Sequence, residues 1–198
     1  MEGYTLLETI SHDAFKEFAK DQLAKKGIYK KVYHAVLLIS CGLLAAAAGF
    51  GAVLYFVERE SSYLVQILSG LIFSLTLLIV IHELLHAAAY KLAGAKNVYF
   101  GAVLSKFVFF AGSDQEVFNG SRYKFIALFP FLCITICSLI GMIVWPEYLT
   151  FFLTLVCIHT LFCGGDFAIL NYIQQFDPRR IHTSDSREKK ETYFFLKD

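Results

Sequence analysis

Apolar positions fall along this chain in long unbroken runs rather than in the stripes of a soluble helix. Val32 to Val57, Tyr63 to about Leu92, Phe125 to Trp145 and Tyr148 to about Tyr172 each reach the roughly 20 apolar residues that a hydrocarbon layer requires. Four transmembrane helices are predicted. Glu58 to Ser62 joins the first two runs and Pro146-Glu147 joins the last two, so each pair reads as a tight antiparallel hairpin. The connection from the second run to the third is much longer. It contains Val98-Tyr99-Phe100-Gly101-Ala102-Val103-Leu104 and Phe107-Val108-Phe109-Phe110, β-branched and aromatic runs bounded by Gly and polar residues, which predict a short β-hairpin.

The two ends differ from this pattern. Phe15, Phe18, Ala19 and Leu23 recur at helical spacing opposite lysines, which predicts an amphipathic helix, either lying along the inner membrane surface or packed on the bundle. From Asp177-Pro178 onward the chain is polar apart from Tyr193 to Leu196, and a partly mobile tail is expected. The reading is an all-α membrane protein: a cytoplasmic segment at 1–31, a four-span domain at 32–172 with its hairpin between helices two and three, and a cytoplasmic tail at 173–198.

Composition agrees, with 57% hydrophobic and 18% charged residues. Lys plus Arg number 18 against 17 Asp plus Glu, so no basic excess points to nucleic acid. Distribution says more than the sum. Six cations precede the first run, one lies between runs one and two, five between two and three, none between three and four, and six follow. The positive-inside rule then places both termini and the long connection in the cytoplasm, in a multi-pass protein of the inner membrane. The first 31 residues lack the apolar core of a cleaved signal, which leaves the first span as the insertion signal. Cys41, Cys133, Cys137, Cys157 and Cys163 are odd in number and all sit in apolar stretches, as buried thiols would rather than a disulfide framework. The i, i+4 pair Cys133 and Cys137 reads as packing.

Within the second span lies Ile81-His82-Glu83-Leu84-Leu85-His86, two imidazoles and a carboxylate in an apolar helix. Ionisable groups there cost about 2.5 to 3.5 kcal/mol each at a helix centre, so they face a protein interior, a partner or a cavity. Residues four apart share a face, which lets His82 and His86 ligate one divalent ion, with Glu83 beside it as a base toward water. A third donor is needed. The position six past His86 is Leu92, Glu116 lies in a polar connection, and Glu147 sits in the outer turn. Asp166, in Cys163-Gly164-Gly165-Asp166, matches in depth: it lies about 27 Å along the fourth span, where His82 and His86 lie about 28 and 34 Å along the second. Gly164 and Gly165 would admit a close neighbour or loosen the helix there. His159, about 16 Å along the same span, reads as a residue lining a cavity, a hydrogen-bonded core histidine or a ligand. His34 is placed at the interface, and His159 and Asn171 are candidate oxyanion helpers.

The H-E-L-L-H-A helix, the strand-like connection, Arg122-Tyr123-Lys124 leading into a span with Phe129-Pro130-Phe131, and the late Gly-Gly-Asp together resemble a bacterial membrane family described as putative zincin peptidases, a domain of unknown function. More distantly the arrangement is similar to the site-2 class of intramembrane metalloproteases. The likeness covers about Leu64 to Tyr172. It implies His82, His86 and Asp166 as zinc ligands and Glu83 as the catalytic acid and base. Gly-Asp-Phe stands here where the site-2 class has an Asp-Gly pair, and no PDZ domain is recognisable.

A zinc-dependent intramembrane endopeptidase acting on membrane protein or peptide substrates near the cytoplasmic leaflet is therefore expected. The alternatives are a non-catalytic zinc protein, structural or sensory, and a small cation transporter. The same donors also suit iron, cobalt or nickel.

Overall fold

The computed structural model describes residues 3–103 and 108–198. The Leu104 and Phe107 ends of the expected hairpin lie outside the described residues. The chain is a multi-pass membrane protein. Three helices are long and apolar enough to cross a bilayer: Ile28–Glu58, Ser62–Leu92 and Gly120–Val144. A fourth span is reached if Pro146–Phe162 and Gly164–Ile173 count as one bent pair. In chain order the helices are α1 (Phe15–Ala24), α2 (Ile28–Glu58), α3 (Ser62–Phe73), α4 (Ile79–Leu92), α5 (Gly120–Val144), α6 (Leu149–Phe162) and α7 (Gly164–Ile173). A π-helical turn at Ser74–Leu78 joins α3 to α4. Such a turn inserts one residue and rotates everything after it, so the phase at which His82 and His86 leave the helix is set just upstream of them.

The strands are β1 (Tyr4–Ser11), β2 (Val98–Val103), β3 (Val108–Ser113), β4 (Val117–Asn119), β5 (Ile181–Ser186) and β6 (Glu191–Lys197). β2 and β3 pair antiparallel from Val98 opposite Ser113 to Val103 opposite Val108, which is the hairpin expected between the second and third spans. The remaining four form a sheet in the order β1-β6-β5-β4. The helix expected near the N-terminus is present as α1, with strand β1 ahead of it, and the tail forms the paired antiparallel hairpin β5–β6, which the polar run from Asp177 did not predict. The tail is held because β6 places Phe194 in a buried aromatic cluster, 4.8 Å from Tyr172 and 6.4 Å from Phe18, ring centre to ring centre.

The chain divides into two compact units. One comprises residues 32–81 and 131–163 and is purely helical. Glycines let its helices approach: a Cβ at Gly70 would lie 2.8 Å from that of Thr154, and one at Gly51 would lie 2.8 Å from that of Tyr63. Two of its buried hydroxyls bond within their own helix, Thr154 donating to the Thr150 carbonyl and Thr160 to that of Val156, as an environment without water favours. The cysteines are all free, yet Cys41 and Cys137 are exposed. On a helix face turned to lipid an apolar thiol loses nothing by lying outside, so burial was not required of them.

The other unit comprises residues 1–31, 82–130 and 164–198. It holds both sheets, α1, the His82–Leu92 part of α4, the first part of α5, and α7. α1 packs on α7: Phe15 closes over Gly165, where a Cβ would stand 2.8 Å from its ring, and Phe18 meets Tyr172 at 5.6 Å. The end of α4 is fixed by Gly94 at φ 98°, with Gly94 N–H donating to Lys91 O and Ala95 N–H to Tyr90 O. That pair of bonds is the glycine stop expected when a helix must end and turn.

Candidate metal centre

α4 carries the first three groups. His82 and His86 are one turn apart and both buried, and their Nε2 atoms face each other at 3.1 Å. Asp166 comes from the first turn of α7, where Gly164 and Gly165 restart the helix after α6 ends at Phe162. Its Oδ1 is 3.2 Å from His86 Nε2 and its Oδ2 is 3.4 Å from His82 Nε2.

Three donor atoms thus form a triangle with sides of 3.1, 3.2 and 3.4 Å. Ligands about 2.0 to 2.1 Å from a tetrahedral zinc stand about 3.3 Å apart, so the triangle has the size of one face of that tetrahedron. Protonation supports the same reading. His86 Nδ1 lies 3.1 Å from the carbonyl oxygen of Ile126, which can only accept, so the ring proton belongs on Nδ1 and Nε2 keeps its lone pair toward Asp166 and His82. Ile126 is free to accept for a reason visible in the chain. The helical partner of its carbonyl would be the N–H of residue 130, and that residue is Pro130, inside α5. Along the chain the Phe129-Pro130-Phe131 run marks only a family resemblance; its physical role in orienting His86 emerges in the fold.

Glu83 sits beside the triangle. Its Oε1 is 3.9 Å from His82 Nε2, and its carboxylate faces the backbone N–H of Ala111 on β3. Its Oε2 is buried and has no hydrogen-bond partner among the described residues. A carboxylate oxygen left in that state beside three metal donors is placed to bind a proton or a water.

Asn171 does not serve as an oxyanion donor: its Nδ2 donates to Gln22 O at 2.8 Å, and its Oδ1 accepts from Lys30 N–H at 3.2 Å and from the Gln174 amide. The amide instead joins the end of α1 and the start of α2 to α7. His159 is fully buried on α6, with Cys163 Sγ at 3.6 Å from Nε2 and the Phe131 ring stacked at 6.5 Å. His34 is exposed beside Tyr33. Glu116 accepts from the backbone N–H groups of Lys96 and Asn97 and from the Ser113 hydroxyl, which makes it a loop-fixing residue. Asp185 lies in no motif that marks it in the sequence. It is 8% exposed and accepts from Thr192 Oγ1 at 2.7 Å and Tyr90 Oη at 3.3 Å.

A comparison with known families agrees with this geometry. The family described as "putative zincin peptidase" matches residues 75–180, just over half of the chain. No curated protein and no solved structure gives a significant match. The chain belongs to the putative zincin peptidase family, and it is a membrane-embedded member with a His/His/Asp cluster consistent with a zincin-like catalytic site.

Proposed function

Starting from that membership, we propose that the protein is a zinc-dependent intramembrane endopeptidase, with His82, His86 and Asp166 as ligands and Glu83 as its acid and base. The observation that carries the reading is the donor triangle with an unpartnered carboxylate oxygen next to it. Two imidazoles and one carboxylate leave a fourth position open, the ligand set of a catalytic rather than a structural zinc. When bound, zinc supplies Lewis-acid activation of a water and of the scissile carbonyl. Glu83 takes the water proton on its Oε2 and returns it to the leaving amine. His86 is kept in its lone-pair tautomer by the Ile126 carbonyl, and Asp166 holds one oxygen toward each ring.

Substrates are membrane-spanning or membrane-bound segments cut near the cytoplasmic leaflet. Both termini and the long connection are assigned to the cytoplasm of an inner-membrane protein, on the 17 to 1 division of cations. A spanning helix hides its peptide bonds in its own hydrogen bonds and must unwind before it is cut. The β2–β3 hairpin supports capture of an unwound strand by edge pairing, because Ala111 of β3 brings that hairpin's backbone to Glu83.

The deciding experiment measures metal content and peptide cleavage together on the purified full chain. Glu83→Gln keeps about one zinc per chain and loses cleavage; cleavage surviving in that variant removes Glu83 from its role. Chelation that lowers thermal stability, with no cleavage by the zinc-loaded wild type against any membrane peptide, would establish the non-catalytic alternative.

A further inference from the structure

Where α4 ends, a cavity opens that the hydrolytic chemistry does not use. Its volume is about 390 Å³, and Lys91, Lys96 and Arg187 stand on its wall beside Asn97 and Tyr99. Lys91 is in the last turn of α4 and is held by a 2.7 Å bond from its Nζ to Lys96 O. The Arg187 guanidinium lies over the Tyr99 ring at 5.8 Å. Asp114, the acid on the wall, has Oδ1 engaged by the backbone N–H of Arg187 at 2.9 Å. Among the described residues none of the three cations makes an ion pair within 4.0 Å.

A second observation is independent of charge. Tyr99 is 7% exposed, and its hydroxyl is buried with no hydrogen-bond partner among the described residues. Opposite it in the ladder, Gly112 makes room, since a Cβ there would lie 2.9 Å from the Tyr99 oxygen. Burial pushes the phenol well above its usual range, so it stays protonated and can donate. A buried hydroxyl left unpaired carries a desolvation cost that a ligand oxygen would relieve.

From these donors we infer that the cavity binds a phosphate group, supplied by the headgroup of an anionic phospholipid. Two ammonium groups, a guanidinium and an O–H form a donor set suited to phosphate oxygens. The lipid source follows from position. α4 is the last part of a helix long and apolar enough to cross a membrane, and Leu92, next to Lys91 at the end of that helix, is 69% exposed, as suits a position where a span would meet lipid headgroups. This inference does not depend on the peptidase reading, because neither Glu83 nor a metal ligand lines the cavity.

The test is calorimetric titration of the full-length protein, in a neutral maltoside detergent, with dioctanoyl-phosphatidylglycerol, dioctanoyl-phosphatidylcholine and inorganic phosphate. Saturable binding of the phosphatidylglycerol is expected, about tenfold or more tighter than either of the others. Tyr99→Phe and Arg187→Gln should each weaken it about tenfold, the loss expected from one bond to a charged group. Lys16→Gln with Lys20→Gln, which removes charge from α1, should leave it within about twofold. Equal affinity for phosphatidylcholine, or binding unchanged in Tyr99→Phe and Arg187→Gln, overturns the site. Phosphate binding as tightly as the lipid overturns the headgroup as its source. Circular dichroism and zinc content of each variant identify a folding failure, and a fully folded Lys96→Gln provides a milder variant for the same comparison.

Discussion

Asp166 and Asp185 are both largely buried carboxylates in the same unit of this protein, and their surroundings could hardly differ more. Asp185 is met by hydrogens: the hydroxyls of Thr192 and Tyr90 and the backbone N–H of Ser113. Asp166 is met by two imidazole nitrogens at 3.2 and 3.4 Å, one of which already has its proton committed to the far side of the ring. Donors satisfy the first acid without any further partner. Lone pairs converging on the second call for a cation. Burial alone therefore does not distinguish a structural acid from a ligand; the polarity of the neighbours does.

Four experiments press on that contrast, the largest effect first. Glu83→Gln should lower cleavage by about a thousandfold, the scale of general acid–base catalysis, with metal content unchanged in elemental analysis. Next comes the pair of acids themselves. Asp166→Ala should weaken zinc affinity about a hundredfold or more in a competition titration, while Asp185→Asn leaves it unchanged; equal losses in both would erase the distinction drawn here.

Pro130→Ala probes the tautomer argument. The restored N–H at 130 competes with His86 for the Ile126 carbonyl, so zinc affinity should fall about tenfold without loss of thermal stability, since a helix interior prefers Ala to Pro. A drop in stability with unchanged affinity would show instead that the proline serves packing.

The smallest effect is on pH. Burial raises the Asp185 carboxyl to about 6, against the lowering by its hydrogen bonds from Thr192 and Tyr90. A folded-state value above the unfolded one means that the native protein binds the proton more tightly. The stabilisation from that proton is full below about pH 4 and is lost as pH rises through about 6. Between pH 7 and pH 5 the wild type should gain about 1 kcal/mol from this group, seen as a rise in Tm in detergent. Asp185→Asn should lack that rise; a rise of the same size in the variant would assign it to another group.

Legibility in the sequence followed the kind of interaction. Long apolar runs, the shared face of His82 and His86, and the β-branched hairpin around Tyr99 and Phe109 each depend on local spacing, and each appears in the structure. Even the depth match of Asp166 was readable, although it rested on a straight fourth helix and the chain in fact restarts at Gly164. The four-stranded sheet was not readable. Its β5 strand, Ile181–Ser186, buries Thr183, Ser184 and Asp185, so polar residues occupy positions where an alternating apolar pattern would have signalled a strand. The partner of Asn171 was not readable either, because an amide in a late helix gives no sign that it meets the carbonyl of Gln22, far away in sequence.

The sequence by itself determined that this chain enters the membrane and carries two imidazoles and a carboxylate on one turn of a spanning helix, because hydropathy and helical period are properties of neighbours. Only the tertiary structure decided which acid meets those rings, which carbonyl holds His86 in its tautomer, and that Asp185 belongs to the fold instead. Those choices depend on donors and acceptors brought together from distant parts of the chain, and a hydrogen bond is selected by angle and by an ångström or less of distance, which no spacing along the sequence encodes.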